Sequence, residues 1–297
     1  MSKASTLQRI ISPLTMDEFV GAYFQRRPLP LAGREGKFDF LFRAGDFWKN
    51  LDQVKQIRAV FARHRQATIR PADIPHMVSA GATICITGME QAHPKLLQAA
   101  RRIRAELGYS GEVSFRAYLS APGSGFDLHY DARVVTTLQI MGSKRWWYSK
   151  QPAVPFPTHN SGKEPPGYPR FEPPPPDAFR SVVLKPGHVL CLPAGTWHRA
   201  EGRSTSLALN LALDHNHGGS TFDSVMRLLQ ARLSENPRWR EPLPLALRHK
   251  AARVPQPVAR SLRECIDALQ AELAAMRQSE ADLTRAWLLA THMRQPL

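Results

Sequence analysis

Two histidines and one aspartate carry the strongest chemical signal in this chain of 297 residues. His129 and Asp131 flank Tyr130, and His198 lies far downstream in the run GTWH. On a strand, residues two apart point the same way, so His129 and Asp131 are expected to offer an imidazole nitrogen and a carboxylate oxygen to one ion. His198 would complete a set of two histidines and one carboxylate. That set leaves three coordination positions open, which suits non-heme iron(II) that must also bind a cosubstrate and dioxygen. A His-x-Asp pair alone is weak, because 11 histidines make chance pairs common. Its surroundings give it weight.

Those surroundings are β-rich. From Val113 onward, short runs alternate with Gly and Pro: VSFRAYLS, DARVVTTLQIM, KRWWYS, SVVLKPG, HVLCLPAG and SLALNLAL. Strands this short and close predict a sandwich or barrel, and Gly142-Ser143 suits a tight hairpin turn between two of them. In SLALNLAL the leucines Leu207, Leu209, Leu211 and Leu213 share one face. The other face, Ser206, Ala208, Asn210 and Ala212, is small and polar and leaves room for a ligand. Residues 151–177 hold ten prolines and must run without regular structure, as a flap at the site mouth or a disordered insertion. Trp146, Trp147 and Tyr148 form an aromatic cluster suited to core packing, with a substrate platform as the second use.

The flanks read as helical. Thr15 to Glu18 (TMDE) is a capping box, opening a short helix MDEFVGAYFQ that ends before Arg26, Arg27 and Pro28. Helical periodicity also marks residues 45–65 and 94–107, with a short buried strand at GATICIT between them. After Asp214 come TFDSVMRLLQARLSE, a Pro-rich link, and a long helical stretch over about 258–293. There Leu262, Ile266, Leu269, Leu273 and Met276 make one apolar stripe, to be covered by the same chain or by a second copy. His215 and His217, though spaced like metal ligands, follow the last strand and read as loop residues.

The segments SAPGSGFDLHYDARVVTTLQIMGSKRWWYS and PGHVLCLPAGTWH together resemble the JmjC/cupin-type 2-oxoglutarate oxygenases, in the branch that includes ribosomal-protein hydroxylases. MDEFVGAYFQRRPL and GATICITGME look like that family's approach to the barrel, so the resemblance spans roughly residues 12–215. It implies a mainly β fold: a double-stranded β-helix (jelly-roll, cupin) core with flanking helices, plus a C-terminal helical region. The expected division is a catalytic domain over residues 1–217 and a helical region over 218–297, the latter suited to dimerisation. Carried over, the resemblance makes His129, Asp131 and His198 ligands of Fe(II), and Lys144 the cation for the distal carboxylate of 2-oxoglutarate, with neighbouring Arg145 as its rival. A buried dicarboxylate needs such a partner. Ser120 matches a hydroxyl that helps hold the same carboxylate. Asn210 either touches the cosubstrate near the metal or is a satisfied core amide. Where the family commonly has an acidic residue in the turn before the second segment, this chain has His188.

Bulk properties bound the rest. The net charge is +15, and its densest stretch, Lys55 to Arg70, would form a basic helical face able to attract nucleic acid or an acidic peptide, or serve as ordinary solvated surface. Like charge disfavours a strongly basic substrate. Three separated cysteines give neither a disulfide framework nor a zinc site. With no apolar run of spanning length and no secretory signal in the opening residues, a cytoplasmic protein without membrane contact is expected. The resemblance implies an oxygenase hydroxylating a protein or peptide side chain, and with the apolar C-terminal stripe a homodimer. The alternatives are a tailoring hydroxylase of a small metabolite or natural product, a cupin that uses a metal without 2-oxoglutarate, and a catalytically silent JmjC-like binding protein.

Overall fold

The computed structural model describes residues 5–62, 65–215, 221–245 and 253–292. Twelve strands form two antiparallel sheets. In chain order they are β1 (Leu29–Leu31), β2 (Gln56–Val60), β3 (Gln66–Thr68), β4 (Thr83–Thr87), β5 (Glu112–Ser120), β6 (Gly125–His129), β7 (Val134–Met141), β8 (Lys144–Ser149), β9 (Phe179–Leu184), β10 (Val189–Leu192), β11 (His198–Gly202) and β12 (Ser206–Asp214). The large sheet runs β1-β10-β7-β12-β5-β4-β2-β3, the small one β6-β11-β8-β9. From β5 to β12 the chain winds back and forth between the two sheets. This is the double-stranded β-helix, extended at both edges of its large sheet by the N-terminal strands.

Alternation sorts the side chains of the large sheet. Leu207, Leu209, Leu211 and Leu213 pack outward with Phe115, Ala117, Leu119, Ile84 and Ile86 in the main apolar core. The helix Pro94–Leu107 closes that core through Leu96, Ala99, Ala100 and Ile103. The opposite face is left to line a cavity.

Four expectations give way here. The described part of residues 45–65 is not a helix: after a single 3₁₀ segment, Ala44–Trp48, the chain forms β2. The spacing of Leu51, Val54, Ile57 and Phe61 imitates a helical stripe, yet pairing of β2 with β4 in register Gln56↔Thr87 to Val60↔Thr83 wins. Tertiary pairing overrides local period. The described part of the Lys55–Arg70 stretch is therefore built on a pair of strands, β2 and β3, and not on a helical face. Gly142-Ser143 is not a hairpin turn either, because β7 and β8 belong to different sheets. Gly142 has φ +65°, and a Cβ there would sit 2.1 Å from the Thr205 carbonyl oxygen, so the crossing admits only glycine. Finally, the long C-terminal stretch breaks at Ser279, whose hydroxyl accepts from the Asp282 amide and starts a second helix, Glu280–His292.

The short N-terminal helix forms as read: Thr15 and Glu18 make the reciprocal capping box, and Met16–Glu18 continues as a π-helical turn through Tyr23. Residue contacts divide the chain into two compact units, Met1–Asn216 and His217–Leu297. Within the second, Leu228, Leu229 and Met276 are buried together against Leu233, Leu269 and Ala286, while Leu262, Ile266 and Leu273 stay exposed. The stripe is thus covered only in part by its own unit. No described helix is long and apolar enough to cross a membrane.

Candidate metal centre

A cavity of about 360 Å³ opens between the sheets, lined among others by His129, Asp131, Lys144, Trp146, His198, Asn210 and, from the Pro-rich excursion, Asn160 to Lys163. His129 closes β6 and His198 opens β11, and the two are paired directly across that ladder. Their rings lie 4.3 Å apart. Asp131 lies two residues past the end of β6, so strand alternation does not orient it. Its position is fixed by Tyr130, which is fully buried against Trp197 and Val154, and by the Gly195 amide donating to the Asp131 carbonyl at 2.9 Å. One ligand atom from each of the three residues falls within 4.8 Å of the others.

Hydrogen bonds aim these donors. Nδ1 of His129 lies 2.6 Å from the Asp127 carbonyl, and Nδ1 of His198 lies 2.8 Å from the Thr196 carbonyl. A carbonyl only accepts, so each Nδ1 carries the proton and each Nε2 lone pair is free for a cation. Burial and the neighbouring His129 push His198 down to about 4, against the pull of Asp131. Burial pushes the Asp131 carboxyl up, but Arg133 and the two imidazoles overcome it and hold it far below the usual range. Arg133 donates to Oδ1 at 3.2 Å, and Oδ2 stands 3.8 Å from His198 Nε2. Two imidazole nitrogens and an ionised carboxylate around one point are the chemistry a divalent cation needs.

At the far end of β8, Lys144 is 2% exposed and its ammonium donates to the Ser120 hydroxyl at 2.5 Å, which also accepts from Thr83. Among the described residues no carboxylate pairs with Lys144, and burial pushes its ammonium down to about 8. Arg145 points the other way, with Arg199, over the outer face of Trp147. The aromatic cluster is split by the same alternation: Trp146 and Tyr148 are buried inside, Trp146 beside His198. Asn210 faces the cavity and donates to the Thr137 hydroxyl at 3.3 Å.

The Pro-rich excursion is tied to this centre. Ser161 accepts from the Tyr130 amide, Asn160 from the Ala132 amide, and Tyr130 donates its hydroxyl to Glu164. Gly195, with φ +76°, lets Val154 come so close that a Cβ would lie 1.7 Å from its carbonyl oxygen. His215 lies in the loop after β12, near Phe156; His217 falls outside the described residues. The sequence does not flag Arg58, Arg116 or Asn160 as site residues. For Arg133 a signal existed, two positions after Asp131; the others reach the cavity only through strand pairing and the return of a long loop.

Comparisons with known proteins agree with this geometry. Residues 93–219 match the JmjC domain family model. YxbC of Bacillus subtilis (strain 168), named an uncharacterized protein, is 27% identical over 279 residues, covering 83% of this chain and 80% of that one. Ribosomal oxygenase 1 of Rattus norvegicus is 25% identical over 269 residues, covering 81% of this chain, which spans only 42% of that protein's length. The structure of the ribosomal oxygenase YcfD from Escherichia coli, in complex with cobalt and 2-oxoglutarate, superposes with a TM-score of 0.61 at 16% identity over 96% of this chain and 73% of that one, and shows the fold. The chain thus matches the JmjC domain at residues 93–219 and is similar to ribosomal oxygenases over most of its length.

Proposed function

We propose that this protein is an Fe(II)- and 2-oxoglutarate-dependent oxygenase that hydroxylates a protein or peptide side chain. The observation that carries the reading is one cavity holding both a convergent His-Asp-His set and a buried ammonium that, among the described residues, has no carboxylate partner. A dicarboxylate that reaches from Lys144 to the metal satisfies both. Cobalt and 2-oxoglutarate occupy the similarly folded YcfD structure, which supports the same pair here. Iron with 2-oxoglutarate and dioxygen supplies oxidative decarboxylation to succinate, coupled to placing one oxygen atom in a C–H bond.

The chain's own residues do the rest. His129, His198 and Asp131 would hold the metal; Lys144 and Ser120 would take the distal carboxylate, and Asn210 lies where it could hold the near one. Trp146 covers one side of His198 with apolar surface, and residues 160–163 roof the site through bonds to the Tyr130 and Ala132 amides, limiting water. The roof comes from a long surface loop, which suits an extended polypeptide better than a small enclosed molecule. In the test, aerobic protein given Fe(II), ascorbate and 2-oxoglutarate is assayed for succinate. Metal-dependent succinate is expected, raised by a cytosolic protein extract that gains 16 Da on its product. Metal and 2-oxoglutarate bound without any succinate would mean a silent binding protein, and product only in small-molecule extracts would mean a metabolite hydroxylase.

Leu262, Ile266 and Leu273, exposed on the helix Gln256–Gln278, suit a homodimer through the C-terminal helices. Light scattering is expected to give twice the chain mass; a monomer at micromolar concentration would remove this part of the reading.

A further inference from the structure

We infer that the substrate presents an anionic group, an acidic side chain of a polypeptide, to Arg58 and Arg116 at the open side of the cavity. This rests on the oxygenase reading and names the substrate class for that site. Arg58 on β2, Cys85 on β4 and Tyr118 on β5 are paired across the sheet, and Arg116 lies two residues from Tyr118, so both arginines project from the face that lines the cavity. Both Nε atoms are buried without a hydrogen-bond partner. Among the described residues, the other nitrogens of Arg58 meet neutral groups, Gln66 Oε1 at 2.8 Å and Cys85 Sγ at 3.5 Å. The polar neighbour of Arg116 is the Tyr118 hydroxyl.

Charge counting in the cavity leaves these two arginines over, together with Lys163 of the Pro-rich excursion. Arg133 is matched by Asp131 and Asp214. A divalent metal would be matched by Asp131 and the near carboxylate of 2-oxoglutarate, and Lys144 by the distal one. Among the described residues no carboxylate lies within ion-pair distance of Arg58 or Arg116; the remaining acid on the wall, Asp127, sits across on β6. A half-buried guanidinium whose Nε is shut off from water and unpaired gains from a ligand that supplies a counter-charge, and its planar fork matches a carboxylate. A basic side chain at the same place would meet like charge at close range. Arg116 pairs with Asn210 across the β5–β12 ladder, four residues along β5 from Ser120. An anion on it would lie towards the metal end, away from the Lys144 anchor.

The test uses full-length protein, anaerobic and loaded with Mn(II) and 2-oxoglutarate, offered a randomised display library of peptides. Calorimetry first establishes that both ligands bind; failure at that step would sink the oxygenase reading and not the anion site. With loading established, enrichment of Asp- and Glu-containing peptides is expected, and Arg58→Gln and Arg116→Gln should each weaken an enriched peptide at least tenfold. Both variants should keep 2-oxoglutarate affinity within about threefold. Enrichment of neutral or basic peptides, or no enrichment, would overturn the proposal. So would an Arg116→Gln protein that loses 2-oxoglutarate, which would put that arginine on the cosubstrate.

Discussion

Asp131→Ala and His198→Ala should each lose divalent-metal binding by at least about 100-fold while remaining folded. Even residues that only orient a ligand commonly change metal affinity by 10–100-fold, and here one of three donors is removed outright. The two variants are not equivalent in what else they disturb. Asp131→Ala leaves the half-buried Arg133 with Asp214 alone, 3.8 Å away, so some stability should be lost as well; Asp131→Asn, which keeps an acceptor for Arg133, controls for that. His198→Ala opens a space beside Trp146 and His129 and removes no charge. Calorimetry with Mn(II) or Co(II) reads the affinity, and circular dichroism reads the fold. Metal should also raise the melting temperature of the parent protein and not of the variants, because only ligand that binds the native state stabilises it. Stoichiometric metal retained by both alanine variants would sink the assignment of the centre.

Lys144→Ala should keep the metal and lose 2-oxoglutarate. Removing one partner of a buried charge pair costs about 3 kcal/mol or more, roughly 150-fold in affinity. Without the dicarboxylate the consequence reverses. Lys144 is then a buried ammonium facing the Ser120 hydroxyl, so Lys144→Met, which fills the same space without the charge, should melt at or above the parent's temperature. Gain in stability paired with loss of cosubstrate is what a residue kept for binding should show. Affinity for 2-oxoglutarate should also fall with rising pH. With the free ammonium pushed down to about 8, it is charged below that pH, and deprotonation above it weakens the pair. Arg145→Ala should bind normally, since that guanidinium lies outside over Trp147. Loss of binding in Arg145→Ala with normal binding in Lys144→Ala would place the anchor one residue along.

Much of this was legible without coordinates, and the reason is period. Alternation in SLALNLAL separates the leucine face from Ala208 and Asn210, and the Thr15–Glu18 box marks a helix start from two side chains three apart. The donor types of His129, Asp131 and His198 were equally plain, because ligand chemistry is a property of side chains. What tertiary structure decided was convergence. Asp131 was expected on the strand with His129, yet it lies beyond the end of β6 and is aimed by buried Tyr130 and by the Gly195 amide. Lys144 and Arg145 differ by one position, so only the pairing of β8 with β9 and β11 determines which points inward. Residues 56–60 satisfy a helical stripe and a strand equally well until β4 offers its edge. Arg58 and Arg116, far apart in the chain, share a wall only once β2, β4 and β5 are in register. Local sequence determined which groups are available and which face each strand buries; contacts between distant segments, which no local period encodes, decided which of those groups share a cavity.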